Sequence, residues 1–108
     1  MSDSDKDYYE RAATCLNRVA GWADHVDEEA IDVMSSDGLV AIEFEDGTKY
    51  VLNRQSGNGQ MWFAAGARAW HYDWKDGRWR DDRDGHLLED RIVEVVGAKI
   101  GRSLAPIA

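Results

Sequence analysis

The sequence has one cysteine and one proline among 108 residues, and it lacks any long uninterrupted run of apolar residues. A lone cysteine, Cys15, excludes an intrachain disulfide and any site built from several thiolates. Without an apolar run of about 20 residues, the sequence predicts no membrane-spanning helix. The segment from Met1 to Asp7 is polar and acidic, unlike a signal peptide. These features predict a cytoplasmic protein in a reducing compartment.

Motifs of common catalytic sites are also missing. The sequence contains no serine nucleophile elbow, no phosphate-binding loop and no dinucleotide fingerprint. Its three histidines, His25, His71 and His86, do not have a spacing typical of zinc sites. Cys15 lies beside the apolar stripe of a predicted helix, where buried, unreactive thiols are far more common than nucleophiles. The sequence therefore favours a binding protein over an enzyme.

Basic residues are scarce in the first half of the chain. Residues 1–50 contain 13 of the 21 acidic residues but only 4 of the 13 basic residues, so they carry the whole excess behind the net charge of −8. This charge disfavours nucleic acid as a partner, because phosphates require a basic face. It favours cations or a basic protein surface. The alternative interpretation is that the acidic charge serves solubility alone.

Hydrophobic periodicity predicts a helix over residues 5–25, then a series of short strands, then a helix over residues 86–99. The short connections between the strands predict antiparallel pairing. Two amphipathic helices can then bury their apolar stripes only side by side on one face of the sheet. We therefore expect a single α+β domain over residues 1–108. It is a two-layer sandwich of two helices on one face of a five- to six-stranded antiparallel sheet.

The chemistry of cross-strand pairs predicts the length of the loop after the second strand. A three-residue loop with Gly47 in the left-handed region places Glu43 opposite Lys49, an acid opposite a base. A two-residue loop would instead place Glu43 opposite Tyr50. We predict the three-residue loop.

Carboxylates concentrate along the first helix and just after it. Asp3, Asp7 and Glu10 have the i, i+4, i+7 spacing that places side chains on one helix face. A second group lies between the helix end and the first strand, namely Asp24, Asp27, Glu28, Glu29 and Asp32. Carboxylate oxygens suit hard cations such as Ca²⁺, Mg²⁺, Mn²⁺ or iron, although no spacing fixes a coordination sphere. Two interpretations remain open at this point, a weak exposed cation site and a solvated acidic edge.

The sheet face away from the helices is predicted to carry Asn53, Gln60 and Trp62. A tryptophan at a solvent-facing strand position, surrounded by amides, is typical of a protein contact site. In the alternative interpretation, the C-terminal tail or a loop covers Trp62.

Several segments, in their order along the chain, resemble the frataxin family and above all its bacterial members. Ile42–Gln55 is similar to the central hairpin of the family, and Gln60–Ala64 is similar to the Q-x-W strand that follows it. The segment His71-Tyr72-Asp73-Trp74 and then Asp84-Gly85 complete the series before the last helix. The resemblance spans nearly the whole chain and implies the helix–sheet–helix fold.

The resemblance also implies a function in iron–sulfur cluster assembly. Frataxins bind Fe²⁺ and Fe³⁺ weakly on an acidic ridge, and they bind the cysteine desulfurase and the scaffold protein of cluster assembly. Carried over by position, the ridge residues are Asp3, Asp5, Asp7, Glu10, Asp24, Asp27, Glu28, Glu29 and Asp32. The implied partner contacts on the sheet are Asn53, Arg54, Gln60 and Trp62.

The later turns of the first helix depart from the family pattern. Residues 19–23 read Val-Ala-Gly-Trp-Ala, where frataxins usually carry more carboxylates, so the ridge is thinner in the later turns of the first helix. We expect a monomeric, non-enzymatic iron-binding adaptor. The alternatives are a ferroxidase or an iron-dependent, iron-storing oligomer, and a sheet-mediated interaction module that uses no metal.

Overall fold

The computed structural model describes residues 3–27 and 29–108 as two helices and six strands. In chain order these are α1 (Asp3–Asp24), β1 (Ile31–Ser36), β2 (Leu39–Phe44), β3 (Lys49–Gln55), β4 (Gln60–Ala65), β5 (Arg68–Lys75), β6 (Arg78–Asp81) and α2 (Leu88–Ile100). The strands form one antiparallel sheet in which each strand pairs with the next along the chain. The predicted α+β class is confirmed, and the sheet has six strands.

Both helices cover the same face of the sheet, and the hydrophobic core lies between the two layers. Alternate residues of each strand point to that side, as the two-residue period requires. The largest fully buried side chains come from both layers, namely Tyr72, Phe63, Ile42, Leu52, Met61, Leu88, Ile92, Val19 and Val96. No helix among the described residues combines the length and the apolar character needed to cross a membrane.

The hairpin between β2 and β3 has the predicted three-residue loop. Glu43 lies opposite Lys49, and the backbone N–H of Phe44 donates to the carbonyl of Thr48 at 2.9 Å. Gly47 has φ +86°, a conformation that glycine adopts without the steric cost of a Cβ atom. The pairing chemistry read from the sequence therefore fixes this register correctly.

The second helix begins at Leu88, two residues later than the sequence predicts. The preceding turn is closed by side chains. Asp84 Oδ1 accepts a hydrogen bond from the backbone N–H of His86 at 3.0 Å, and Asp81 Oδ1 accepts one from that of Arg83 at 2.8 Å. Aspartate side chains that bond to nearby backbone N–H groups favour turns over helix, which delays the start of α2.

The segment after α2 runs back along α1. Trp22 Nε1 donates to the carbonyl of Ala105 at 2.8 Å, and Ile107 is buried against the core. The tail therefore packs against the helix layer. Because the tail lies on the helix side of the sheet, it does not cover Trp62.

Gly97 is the point where the tail crosses α2. A Cβ atom at this position would lie 2.5 Å from the carbonyl oxygen of Arg102, closer than van der Waals contact allows. Glycine is helix-destabilising relative to alanine by about 1 kcal/mol. Glycine is nevertheless required at position 97, because the tail backbone occupies the space that a side chain would fill.

Candidate functional site

The first group of predicted ridge residues lies on the first turns of α1. The side chains of Asp5, Asp7 and Glu10 are exposed. Asp7 Oδ2 lies 4.0 Å from Arg11 Nη2, one turn further along the helix. Asp3 belongs to α1 by its backbone, but its side chain lies outside the described part of the structure.

The second group lies where α1 ends and β1 begins. Asp24, Glu29 and Asp32 are exposed, and Asp27 is half-buried. Asp24 and Asp32 line one shallow groove at this edge. The predicted Glu28 lies outside the described residues. Since residues 11–23 of α1 contain no acidic side chain, the ridge consists of two separate acidic patches.

Asp27 is the most strongly held carboxylate of the second patch. Its Oδ1 accepts a hydrogen bond from the backbone N–H of Glu29 at 2.8 Å, and its Oδ2 accepts one from Arg102 Nη2 at 2.9 Å. The Glu29 N–H, followed by the positive charge of Arg102, lowers the pKa of Asp27 below its ordinary value. The side chain is therefore ionised at neutral pH, but a cation of the protein itself already contacts it.

Two further carboxylates, which the sequence analysis did not select, extend this patch. Glu43 lies directly opposite Asp32 in the β1–β2 pairing. Together with Glu29 and Glu45 these residues line a cleft of about 270 Å³. Lys49 Nζ lies 3.9 Å from Glu43 and is the cation nearest to it among the described ion pairs. This pairing was predictable from the sequence. A turn at Asp37-Gly38 pairs Ser36 with Leu39, and the same register brings Asp32 opposite Glu43.

Like charges placed directly opposite on neighbouring strands destabilise a sheet. The Asp32–Glu43 pair is therefore a position where a bound cation would relieve repulsion. The cleft is open to solvent, and its carboxylates do not converge on one point. Such an arrangement suits weak binding of hard cations and does not select one metal sharply.

One tighter cluster occurs elsewhere in the described residues. The donor atoms of Asp81, Asp84 and His86 all lie within 4.8 Å of one another. These atoms already bond within the fold. His86 Nδ1 lies 2.6 Å from Asp84 Oδ1, and His86 Nε2 lies 2.8 Å from the hydroxyl of Tyr72. Because both ring nitrogens of His86 have protein partners, we interpret this cluster as part of the turn before α2.

The predicted sheet-face residues form a connected network around Trp62. Trp62 Nε1 donates to Gln60 Oε1 at 2.9 Å, and the indole stacks on the ring of His71 with centroids 4.2 Å apart. Gln60 Nε2 donates in turn to Asp73 Oδ1 at 3.0 Å. Asn53 lies directly opposite Trp62 in the β3–β4 pairing. The half-buried indole is thus held in one orientation on the open face of the sheet.

Arg54 does not share this face. It pairs with Met61, whose side chain is fully buried in the core, so it points to the helix side of the sheet. Its guanidinium carbon lies 5.1 Å from the ring centroid of Tyr9, and its Nη2 lies 3.3 Å from Asp37 Oδ2. Of the four predicted partner contacts, the structure brings together Asn53, Gln60 and Trp62.

The acidic cleft and the Trp62 network lie on the same open face of the sheet. Asp32 and Glu43 alternate with the core residues of β1 and β2, as Trp62 does with those of β4. Asp32 on β1 is three strands from Trp62 on β4, roughly 14 Å across the strands, and Glu43 on β2 is one strand nearer. One large partner can therefore contact both sites at once.

Comparisons with known proteins agree with this architecture. The Frataxin-like domain family matches residues 1–102. The Iron-sulfur cluster assembly protein CyaY of Tolumonas auensis is 36% identical to this chain, over 68% of the chain and 81% of that protein.

Two solved structures are similar in fold. The frataxin from Psychromonas ingrahamii has a TM-score of 0.84 at 24% identity, and the match covers 93% of this chain and 94% of that one. The trimeric frataxin of the yeast Saccharomyces cerevisiae, complexed with ferrous iron, has a TM-score of 0.64 at 27% identity. That match covers 94% of this chain and 89% of the yeast chain.

Proposed function

This chain belongs to the frataxin family, and we propose that it is an iron-binding adaptor of iron–sulfur cluster assembly. In this proposal the acidic ridge carries Fe²⁺ or Fe³⁺ weakly, as cargo. The open sheet face around Trp62 docks onto a complex of cysteine desulfurase and scaffold protein. The protein acts in the cytoplasm by binding and makes or breaks no covalent bond.

The observation that carries the iron-binding part is the four-carboxylate cleft between β1 and β2. Asp32 and Glu43 face each other across the strand pair, with Glu29 and Glu45 lining the same cleft. An Fe²⁺ ion placed there would offset the repulsion between the facing carboxylates. The relatives support iron as the cation, since one is named an iron–sulfur cluster assembly protein and the yeast frataxin is complexed with ferrous iron.

The docking part of the proposal rests on preorganisation. Gln60 and His71 fix the orientation of the Trp62 indole, so little side-chain entropy would be lost on binding. Tryptophan is among the residues enriched at the energetic centres of protein interfaces. The acidic residues Asp24, Asp27 and Glu28 would meet a basic surface of the desulfurase. Iron and partner would then compete for the same carboxylates.

The iron-binding part is tested by an anaerobic Fe²⁺ titration monitored by calorimetry. The double variant Asp32→Asn, Glu43→Gln is expected to weaken Fe²⁺ binding markedly, because it removes the facing pair of negative charges. The matched control is Asp90→Asn, Glu94→Gln on the exposed side of α2, which changes the net charge equally. Equal affinities in the two double variants would contradict the proposed site.

The docking part is tested by a pull-down and a titration against the purified desulfurase–scaffold complex. Reversing Asp24, Asp27 and Glu28 to lysine is expected to abolish desulfurase binding, and unchanged affinity would refute that contact. Trp62→Ala is expected to weaken the whole complex at unchanged iron affinity. Oxygen consumption on adding Fe²⁺ would instead favour a ferroxidase, and unchanged amide signals with Fe²⁺ would favour a metal-independent module.

A further inference from the structure

A second cleft lies on the helix side of the sheet, between α1 and the turn joining β5 to β6. Its volume is about 310 Å³, at the lower end of the range for small-molecule pockets. Cys15, Trp79 and Glu89 line it and are all buried. Trp74, which is 38% exposed, forms a wall and contacts the Trp79 ring edge-to-face, with centroids 5.3 Å apart.

Arginines outnumber acidic residues around this cleft, although the chain as a whole carries a net charge of −8. Arg11, Arg18 and Arg78 line it against Glu10 and Glu89. Arg78 Nη2 lies 3.1 Å from Glu89 Oε2, so the buried acid is already neutralised. Arg18 Nε donates to the carbonyl oxygen of Ala108 at 2.8 Å. Each guanidinium has five N–H donors, and donors remain after these contacts.

The Arg11 side chain is placed over the indole wall. Its guanidinium carbon lies 5.1 Å from the centroid of the Trp74 ring, and its ion pair with Asp7 is long, at 4.0 Å. A cation held over an aromatic ring beside an open cleft can bind an anion and an apolar group at the same time.

The Trp79 indole lies beneath the exposed Trp74 wall and carries an N–H donor that is unpaired within the described structure. The side chain is 2% exposed, and its Nε1 has no hydrogen-bond acceptor among the described residues. A buried donor without an acceptor is destabilising, and such groups in folded proteins call for an explanation.

We propose that this cleft binds a small organic anion in which one carboxylate is joined to a flat apolar group. Guanidinium groups bind carboxylates through charge-assisted, often bidentate hydrogen bonds. The Trp74 indole, which is 38% exposed, offers apolar surface for an aromatic ring. The site lies apart from the β1–β2 cleft and from Trp62, and Glu10 is the one predicted ridge residue among its lining residues. It is therefore a binding activity additional to the proposed iron adaptor function.

The test uses phenylacetate as the probe and phenylacetamide, its neutral analogue, as the ligand control. The ¹⁵N-labelled chain carries five indole N–H groups, which serve as local reporters in NMR spectra. Phenylacetate is expected to give saturable shifts of the Trp74 and Trp79 indole signals and to leave the Trp62 signal in place. Phenylacetamide is expected to shift neither. The absence of saturation up to about 10 mM, which means affinity weaker than millimolar, would overturn the proposal.

Variants separate this cleft from nonspecific anion binding. Arg11→Gln is expected to weaken phenylacetate binding about fivefold, the upper end for an exposed charge pair. Trp74→Leu, on an exposed wall, is a second variant that leaves the buried residues intact. The matched control is Arg68→Gln, since Arg68 lies 5.0 Å over the Trp70 ring in the same kind of contact but outside the cleft. Equal weakening in Arg68→Gln and Arg11→Gln would refute the assignment.

Discussion

Arg102, just beyond the end of α2, donates from Nη2 to Oδ2 of Asp27 at 2.9 Å. The pair joins the C-terminal segment to the acidic patch that we propose to bind iron. It lowers the local negative charge where an external cation would otherwise bind. The C-terminal segment therefore competes, through one guanidinium, with the proposed cargo.

Removing this guanidinium is expected to strengthen iron binding. Arg102→Gln should raise Fe²⁺ affinity by up to about fivefold, the upper end for an exposed ion pair. Anaerobic calorimetry measures the change. Arg83→Gln, an exposed arginine in the turn before α2, is the control for net charge. The prediction is contradicted if both variants bind Fe²⁺ with the same affinity.

Substitution by alanine should have opposite effects on stability at the two helical glycines, Gly97 in α2 and Gly21 in α1. Gly97→Ala places a Cβ atom 2.5 Å from the Arg102 carbonyl oxygen, so it should destabilise the fold by about 1–3 kcal/mol through overpacking. Gly21→Ala meets no atom within 4 Å and should stabilise it by about 0.5–1 kcal/mol. Urea unfolding measures both.

The same substitution links the tail to the ridge. If Gly97→Ala displaces residue 102, Asp27 loses its partner, and Fe²⁺ affinity should rise as it does in Arg102→Gln. An unchanged affinity, together with a lower free energy of unfolding, would show that the tail keeps its ion pair when α2 is strained.

Neighbouring aromatic residues of β4 should separate docking from stability. Phe63 is 1% exposed, and Phe63→Ala should cost about 3–5 kcal/mol of folding free energy. Among the described residues, Trp62 stacks on His71 on the open face, so Trp62→Ala should cost less than about 1.5 kcal/mol. Denaturant unfolding of both variants makes the comparison. A loss as large as that of Phe63→Ala would assign Trp62 to the core.

Cys15 should be unreactive in the folded protein. Burial, and then the negative charge of Glu89, raises the pKa of its thiol to about 12. At pH 8 the folded thiol should therefore react with a disulfide reagent at least about tenfold more slowly than the unfolded chain, because far less of it is thiolate. Rapid labelling of the folded protein would contradict this.

The direction of the Cys15 shift also sets a pH dependence. The folded pKa lies above the unfolded value of about 8.5, so the neutral thiol contributes its stability below that pH. The contribution is lost as the pH rises toward 12. Cys15→Ala should remove this alkaline slope from the free energy of unfolding.

Local chemistry made most of the fold predictable from the sequence. The β2–β3 loop followed from placing Glu43 opposite Lys49, and each strand's alternation identified its core face. The start of α2 was predicted too early because Asp81 and Asp84 bond to the turn backbone. Whether these aspartates bond to the turn backbone depends on three-dimensional geometry, which hydrophobic periodicity does not indicate.

The site was predictable only in part, for two physical reasons. The Arg102–Asp27 pair joins residues 75 positions apart, and no local pattern indicates where a tail will pack. Glu43 joins the site only through the β1–β2 register, and no facing side chains were predicted for that strand pair. Alternation along β3 places Arg54 on the opposite face of the sheet from Asn53. Arg54 was nevertheless included among the predicted partner contacts because of the family resemblance.

The most direct test of the account is an anaerobic titration of the ¹⁵N-labelled protein with Fe²⁺, followed by NMR. Paramagnetic broadening is expected first at the amides of residues 24–32 and 43–45. The Trp62 indole and residues 81–86 should stay sharp at the same iron concentration. Broadening that begins at Asp81, Asp84 and His86, or that shows no selectivity along the chain, would contradict an iron ridge at the β1–β2 edge.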